Sequence, residues 1–128
     1  MVCYVIFDLD DTLVRYGNKK RCVPRQTFHC LRDLYLRGFI LFVVTYNPLG
    51  VLIAHEEGLF KYIKFLLSTK NTNDQSKIIE KLFSYFPTKD FIYFDDRQDN
   101  IQQVQLKYPY AICIHVPNPL LLFTQIKF

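Results

Sequence analysis

The sequence predicts an α/β fold with a three-layer, Rossmann-like plan, in which a parallel five-stranded sheet carries helices on both faces. Two observations predict it. Five short, largely apolar runs recur along the chain, Val2 to Phe7, Phe39 to Val44, Tyr62 to Leu67, Phe91 to Phe94 and Ala111 to Val116, unbroken rather than alternating in character, as in strands buried on both faces. Between them apolar residues recur at three- and four-residue steps, so strands alternate with helices.

The elements follow in order. After the first strand, Val14 to Val23 holds Gly17-Asn18, a turn pair flanked by segments short enough for a small hairpin. Pro24 suits a first helical turn, and Phe28, Leu31, Leu34 and Tyr35 share one helical face up to Gly38, a natural stop. The second strand ends in Thr45-Tyr46-Asn47-Pro48, and a second helix from about Leu49 to Glu57 is closed by Gly58. Ser68 to Asp74 is polar turn material with Asn73 or Asp74 placed as a cap. A helix from Gln75 to Phe86 then presents Ile78, Ile79, Leu82, Phe83 and Phe86 before Pro87 ends it. The fourth strand runs straight into Asp95-Asp96, and Ile101, Val104 and Tyr108 mark a last short helix before the fifth strand. Asn118-Pro119 opens an apolar tail, Leu120 to Phe128, expected to pack on the sheet or, if Leu120 to Phe123 is exposed, to form a dimer contact.

With 128 residues, half of them apolar, the chain is expected to form one domain over residues 1–128 with a real core. Cys3, Cys22, Cys30 and Cys113 form no CxxC pair, so reduced thiols are expected rather than zinc or a disulfide framework. The residues before Asp8 lack a signal-peptide pattern, and no uncharged apolar run is long enough to span a bilayer, so the expected location is cytoplasmic, without a membrane partner. A net charge of +4 does not by itself indicate nucleic acid. From Thr12 to Arg32, however, Arg15, Lys19, Lys20, Arg21, Arg25 and Arg32 meet no acidic residue, which makes either a solvated face or an electropositive rim that attracts an anion. His29, His55 and His115 share no ligand spacing and read as structural or surface residues.

In such a sheet a site forms at the carboxyl ends of the strands, where strand order reverses. Asp8, Asp10 and Thr12 follow the first strand, Thr45 and Asn47 the second, Asp95 and Asp96 the fourth. In an extended segment Asp8 and Asp10 point the same way, so both can face one hard, oxygen-seeking divalent ion.

Asp8-x-Asp10-x-Thr12 after an apolar strand resembles the first motif of the haloacid dehalogenase (HAD) superfamily, whose members are largely magnesium-dependent phosphatases. Phe42-Val43-Val44-Thr45 resembles the second motif, Ser76-Lys77-Ile78-Ile79 the third, with Lys70 as its fallback, and Phe94 to Ile101 the fourth. The resemblance implies a HAD-like fold, Mg2+ as cofactor, and Asp8, the Asp10 carbonyl and Asp96, with Asp95 beside it, as the metal set. It further implies Asp8 as nucleophile, Asp10 as proton shuttle, Thr45 and Lys77 as partners of the transferred phosphoryl group, and Thr12, Tyr46 and Asn47 as residues that orient or bind substrate. Asn100 departs from the family pattern, standing where many relatives have an acid.

Family caps are inserted after the first motif or between the second and third, and neither interval leaves room for one, so the chain looks like a capless member similar to the magnesium-dependent phosphatases. An open site implies phosphate carried on a protein or other macromolecule, a nucleic-acid end included. Small metabolites or nucleotides fit if Val14 to Val23 or a second subunit acts as a lid, and a binding or regulatory protein that has lost turnover is a further alternative. Monomer and homodimer both remain open. Two alanines beside abundant Phe, Ile, Tyr, Lys and Asn suggest an A+T-rich genome such as that of a virus or parasite, which would place a viral protein in the host cell.

Overall fold

The computed structural model describes residues 3–17, 20–88 and 90–119. The Asn18 half of the turn pair, Lys19, the Val2 end of the first strand and the tail from Leu120 lie outside the described residues. The elements are β1 (Tyr4–Phe7), β2 (Arg15–Tyr16), β3 (Arg21–Cys22), α1 (Arg25–Leu36), β4 (Ile40–Thr45), α2 (Gly50–Glu56), β5 (Ile63–Ser68), α3 (Gln75–Tyr85), β6 (Phe91–Asp95), α4 (Gln98–Lys107) and β7 (Ile112–His115).

The five longer strands form one sheet in the order β5-β4-β1-β6-β7, all neighbours parallel, and β2 pairs antiparallel with β3 as a separate ribbon. β1 is central, flanked by strands far from it in sequence, so the chain reverses its direction of winding there. The crevice beyond the carboxyl ends of β1, β4 and β6 is where such sheets build sites.

Alternation along the central strands splits the core in two. Val5, Phe7, Leu41 and Val43 face one cluster with Leu31 and Leu34 of α1 and Ile53 and Ala54 of α2. Ile6, Phe42 and Val44 face the other with Ile78, Ile79 and Leu82 of α3 and Val104 of α4. Burying each such side chain stabilises the fold by about 1.5–3 kcal/mol, which is why strands apolar on both faces demand helices on both.

Local signals fix the ends. Asp74 caps α3, its carboxylate accepting from the Ser76 amide at 3.0 Å. Gly38 and Gly58, at φ of 91° and 76°, supply the left-handed turns that close the first two helices. Each strand and helix read from the sequence is present within a residue or two, except that α4 begins at Gln98, ahead of its first apolar residue. All four cysteines are free. Among the described residues no helix is long and apolar enough to cross a membrane.

Candidate active site

Sheet pairing carries β1 right up to its acid, since the Asp8 amide donates to the Phe94 carbonyl at 2.9 Å. The chain then folds back at once. The Leu13 and Val14 amides donate to Leu9 O at 3.0 and 3.1 Å, with Leu9, Leu13 and Val14 fully buried beneath the loop. Asp11 makes the reversal at φ 61°, a left-handed conformation that Asp tolerates better than most side chains.

Thr12 is fully buried under this loop, its Oγ1 lying 3.2 Å from Asp8 Oδ2 and 3.3 Å from Asp96 Oδ1. A hydroxyl has one proton, so it donates to one carboxylate at a time and links the ends of β1 and β6.

The two acids at the end of β6 differ in surroundings. Asp95 is fully buried, its Oδ2 accepting from the Tyr93 hydroxyl and from Asn100 Nδ2 at 3.0 Å, its Oδ1 from the Arg97 amide at 2.9 Å. Asp96 is half-buried and faces the cleft, and the His115 Nε2 of β7 sits 2.8 Å from its carbonyl. Asp8, Asp95 and Asp96 each offer an oxygen, and these atoms lie within 4.8 Å of one another. Burial pushes the Asp8 carboxyl well up, reinforced by the charges of Asp95, Asp96 and Asp10. Burial likewise raises Asp95, to about 6, against the donors on its oxygens. An all-oxygen, all-anionic set this crowded fits a hard divalent cation of the Mg2+ type.

The cleft has a volume of about 210 Å3 and is lined by Asp8, Asp10, Asp11, Thr45, Tyr46, Asp96 and Arg97. A larger groove of about 380 Å3 lies at the far ends of β4 and β5 among Tyr35, Phe39, Phe60 and Tyr62, with no acid in its lining. The acids gather at the smaller one.

On the β4 side, Thr45 closes the strand almost fully buried, and the Asn47 amide donates to its Oγ1 at 3.0 Å. Gly50 of α2 packs directly behind it, where a Cβ would come within 2.6 Å of Thr45 Cγ2. Asn47 spends its side chain inside the protein, donating through Nδ2 to Asp10 Oδ2 at 3.0 Å and accepting from the Leu49 amide at 2.9 Å. Asp10 also accepts from the hydroxyl of Tyr16 on β2, and burial together with Asp10 pushes that phenol up, so it stays a donor.

The cation expected on α3 requires a correction. Lys77 is exposed and Gln75, fully buried, faces the acids instead, its Nε2 donating to Asp8 Oδ1 at 2.9 Å and reaching Val44 O at 3.3 Å. Two helical steps turn a side chain by about 200°, so Gln75 and Lys77 face opposite ways. The fallback Lys70 is exposed in the turn after β5 and does not line the cleft. Among the described residues Arg97 is the cleft's one basic lining residue, and its guanidinium holds Asp99 at 3.0 and 2.7 Å. Of the basic stretch, Arg21 pairs with Glu56 and Glu57 rather than standing free, while Arg15 and Lys20 are exposed on the hairpin.

Gln75, Tyr16 and Tyr93 were not singled out by the sequence. Gln75 had a signal: it shares the spacing of Ile78, Ile79 and Leu82, and a polar residue on the buried stripe of a helix needs a partner.

Comparison with known proteins places the fold. No protein-family model matches the sequence, and no curated protein matches it either. Solved structures do. A HAD-superfamily hydrolase of subfamily IA, variant 1, from Geobacter sulfurreducens superposes with a TM-score of 0.73 at 9% identity, over 93% of this chain and 91% of that one. The N-terminal part of a Bacteroides fragilis protein, containing a phosphatase domain and complexed with Mg, gives 0.73 at 15% identity over 97% of this chain. A chain of the Pnkp1/Rnl/Hen1 RNA repair complex gives 0.67 at 18% identity over 89%. This chain spans 40% of the Bacteroides chain and 42% of the repair-complex chain. The fold is that of the HAD-superfamily hydrolases.

Proposed function

We propose that the protein is a Mg2+-dependent phosphomonoester hydrolase that works through an aspartyl phosphate on Asp8. The observation that carries this reading is the meeting of Asp8, Asp95 and Asp96 at one rim of the sheet, with Thr12 linking two of them and the Asp10 carboxyl in the same cleft. The Mg-complexed phosphatase domain of similar fold supports it.

In this reading Asp8, the Asp10 carbonyl and Asp96 hold the ion, and Asp95, whose oxygens are taken by Tyr93, Asn100 and the Arg97 amide, holds the loop that presents Asp96. Bound there, Mg2+ supplies positive charge for the phosphoryl oxygens. An oxygen of Asp8 bonds to phosphorus as the bond from phosphorus to the leaving oxygen breaks, and that oxygen keeps the electron pair and takes a proton from Asp10. Asp10 then removes a proton from water, which attacks phosphorus and returns Asp8 as carboxylate and inorganic phosphate. Thr45 donates to a phosphoryl oxygen, and Tyr46 walls the cleft. Asn47 acts on Asp10 rather than on substrate, and Lys77 has no part.

The substrate is read as phosphate on a protein or other macromolecule. Between β1 and α1 the described residues build only the β2–β3 ribbon, and between β5 and α3 only residues 69–74, which supports the capless reading. A neighbour from an RNA repair complex keeps a nucleic-acid end within this class. The reading includes a soluble, cytoplasmic protein of one domain.

One observation favours a second reading, a regulatory binder without turnover: the amide of Gln75 stands against Asp8 where a cation would offset charge. Phosphate release from phosphopeptides, 3′-phosphorylated oligonucleotides and small phosphate esters in Mg2+ separates the two. Hydrolysis by the wild type and none by Asp8→Asn supports the enzyme; no hydrolysis with any divalent ion supports the binder.

A further inference from the structure

Asp10 is gripped from two sides by separate parts of the fold. Asn47, in the loop between β4 and α2, donates to Oδ2 at 3.0 Å, and Tyr16 on β2 donates to Oδ1. We propose that Tyr16 is a positioning residue for departure of the leaving group, fixing the plane of the Asp10 carboxyl from which the leaving oxygen takes its proton. This rests on the reading of Asp8 as nucleophile and Asp10 as proton donor.

The torsion that turns a carboxyl group is soft, so a single donor leaves it free to rotate about that contact. Two donors on the two oxygens remove the freedom, and proton transfer depends on such alignment. The hairpin that carries Tyr16 is itself tied down. At its base Val14 bridges Asp10, and across the ribbon Tyr16 stands opposite Arg21, which pairs with Glu56 and Glu57 at the end of α2. Packing does not account for the arrangement: Tyr16 is 46% exposed, yet its hydroxyl turns inward onto an acid instead of outward to water.

The leaving group supplies the test. A nitrophenolate departs without a proton, whereas an alkoxide needs one, so loss of Asp10 alignment must weigh more on alkyl esters. For wild type, Tyr16→Phe and Arg21→Ala, kcat/KM is measured on p-nitrophenyl phosphate and on glycerol phosphate, with thermal melts confirming the fold. The expected result for Tyr16→Phe is a loss on the alkyl ester about tenfold greater than on the aryl ester, within the range of general-acid effects. Arg21→Ala, which frees the hairpin without touching Asp10, skews the ratio the same way. In an Asp10→Asn background Tyr16→Phe adds no further skew. Equal losses on both esters, or a skew that persists without the Asp10 carboxyl, overturn the proposal while leaving the phosphatase reading intact. If the wild type is inactive on both small esters, phosphoserine and phosphotyrosine peptides serve as the alkyl and aryl pair, and a wild type inactive on these as well overturns the two together.

Discussion

The amide of Gln75 donates to Asp8 at 2.9 Å from a fully buried position, and its own Oε1 has no hydrogen-bond partner among the described residues. A neutral donor thus meets the carboxylate where the first turn of α3 reaches Asp8. Gln75→Leu should leave Asp8 without that donor and cost about 1–3 kcal/mol of stability, read by denaturant unfolding. Gln75→Lys should instead raise the melting temperature of the ion-free protein at pH 7 and shrink the further rise on adding Mg2+. A lysine variant that melts no higher than wild type would contradict charge crowding as the dominant local cost.

Asp95 gives a pH dependence with a definite sign. Its carboxyl titrates at about 6 in the folded chain and near 4 when unfolded, and Asp8 shifts in the same direction. Between those values the folded state holds a proton that the unfolded state has released, so stability falls as pH rises through about 6. Ion-free protein should therefore melt lower at pH 7 than at pH 4.5, by several degrees on the order expected for a few kcal/mol. Mg2+ should raise the melting temperature at pH 7 far more than at pH 4.5, which a scan with and without the ion checks.

The two acids at the end of β6 should separate by readout. Asp96→Asn should abolish the response to Mg2+ and phosphate release while the ion-free protein melts no lower, because a like charge has gone. Asp95→Asn should destabilise by about 1–3 kcal/mol, since an amide cannot accept on both oxygens from Tyr93, Asn100 and the Arg97 backbone. Calorimetric titration with Mg2+ beside thermal melts tells them apart.

Gly50 should be a silent determinant of activity. A Cβ there would press on Thr45 Cγ2 at 2.6 Å, and a β-branched side chain yields only by leaving its rotamer and carrying Oγ1 with it. Gly50→Ala should lower kcat about tenfold while far-ultraviolet circular dichroism stays unchanged. Unaltered turnover would show that Thr45 is not held by this contact.

The fold was readable because its strands are predominantly apolar, and because Pro24, Gly38, Gly58 and Asp74 mark element ends by their own conformational preferences. That Asp8 and Asp96 would come together was readable because acids immediately after buried strands gather at the carboxyl ends of a parallel sheet. Lys77 was misplaced because spacing along the chain was followed where the helical face decides: the stripe of Ile78, Ile79 and Leu82 includes Gln75 and excludes Lys77. The difference between Asp95 and Asp96 depends on Tyr93 and Asn100 reaching one of them, which is a matter of tertiary geometry. Tyr16 sits on a strand of two residues, too short for any periodicity to mark.

The central place of β1 bears on how the chain matures. Its partners are residues 40–43 and 91–94, so the strand that delivers Asp8 can pair on one side once β4 has been made but lacks its second neighbour until β6 has been synthesised. Parallel pairings over such sequence distances close slowly. In a nascent chain the apolar segment Tyr4 to Phe7 therefore stays sticky until β6 emerges from the ribosome, and chaperone demand should be highest before that moment.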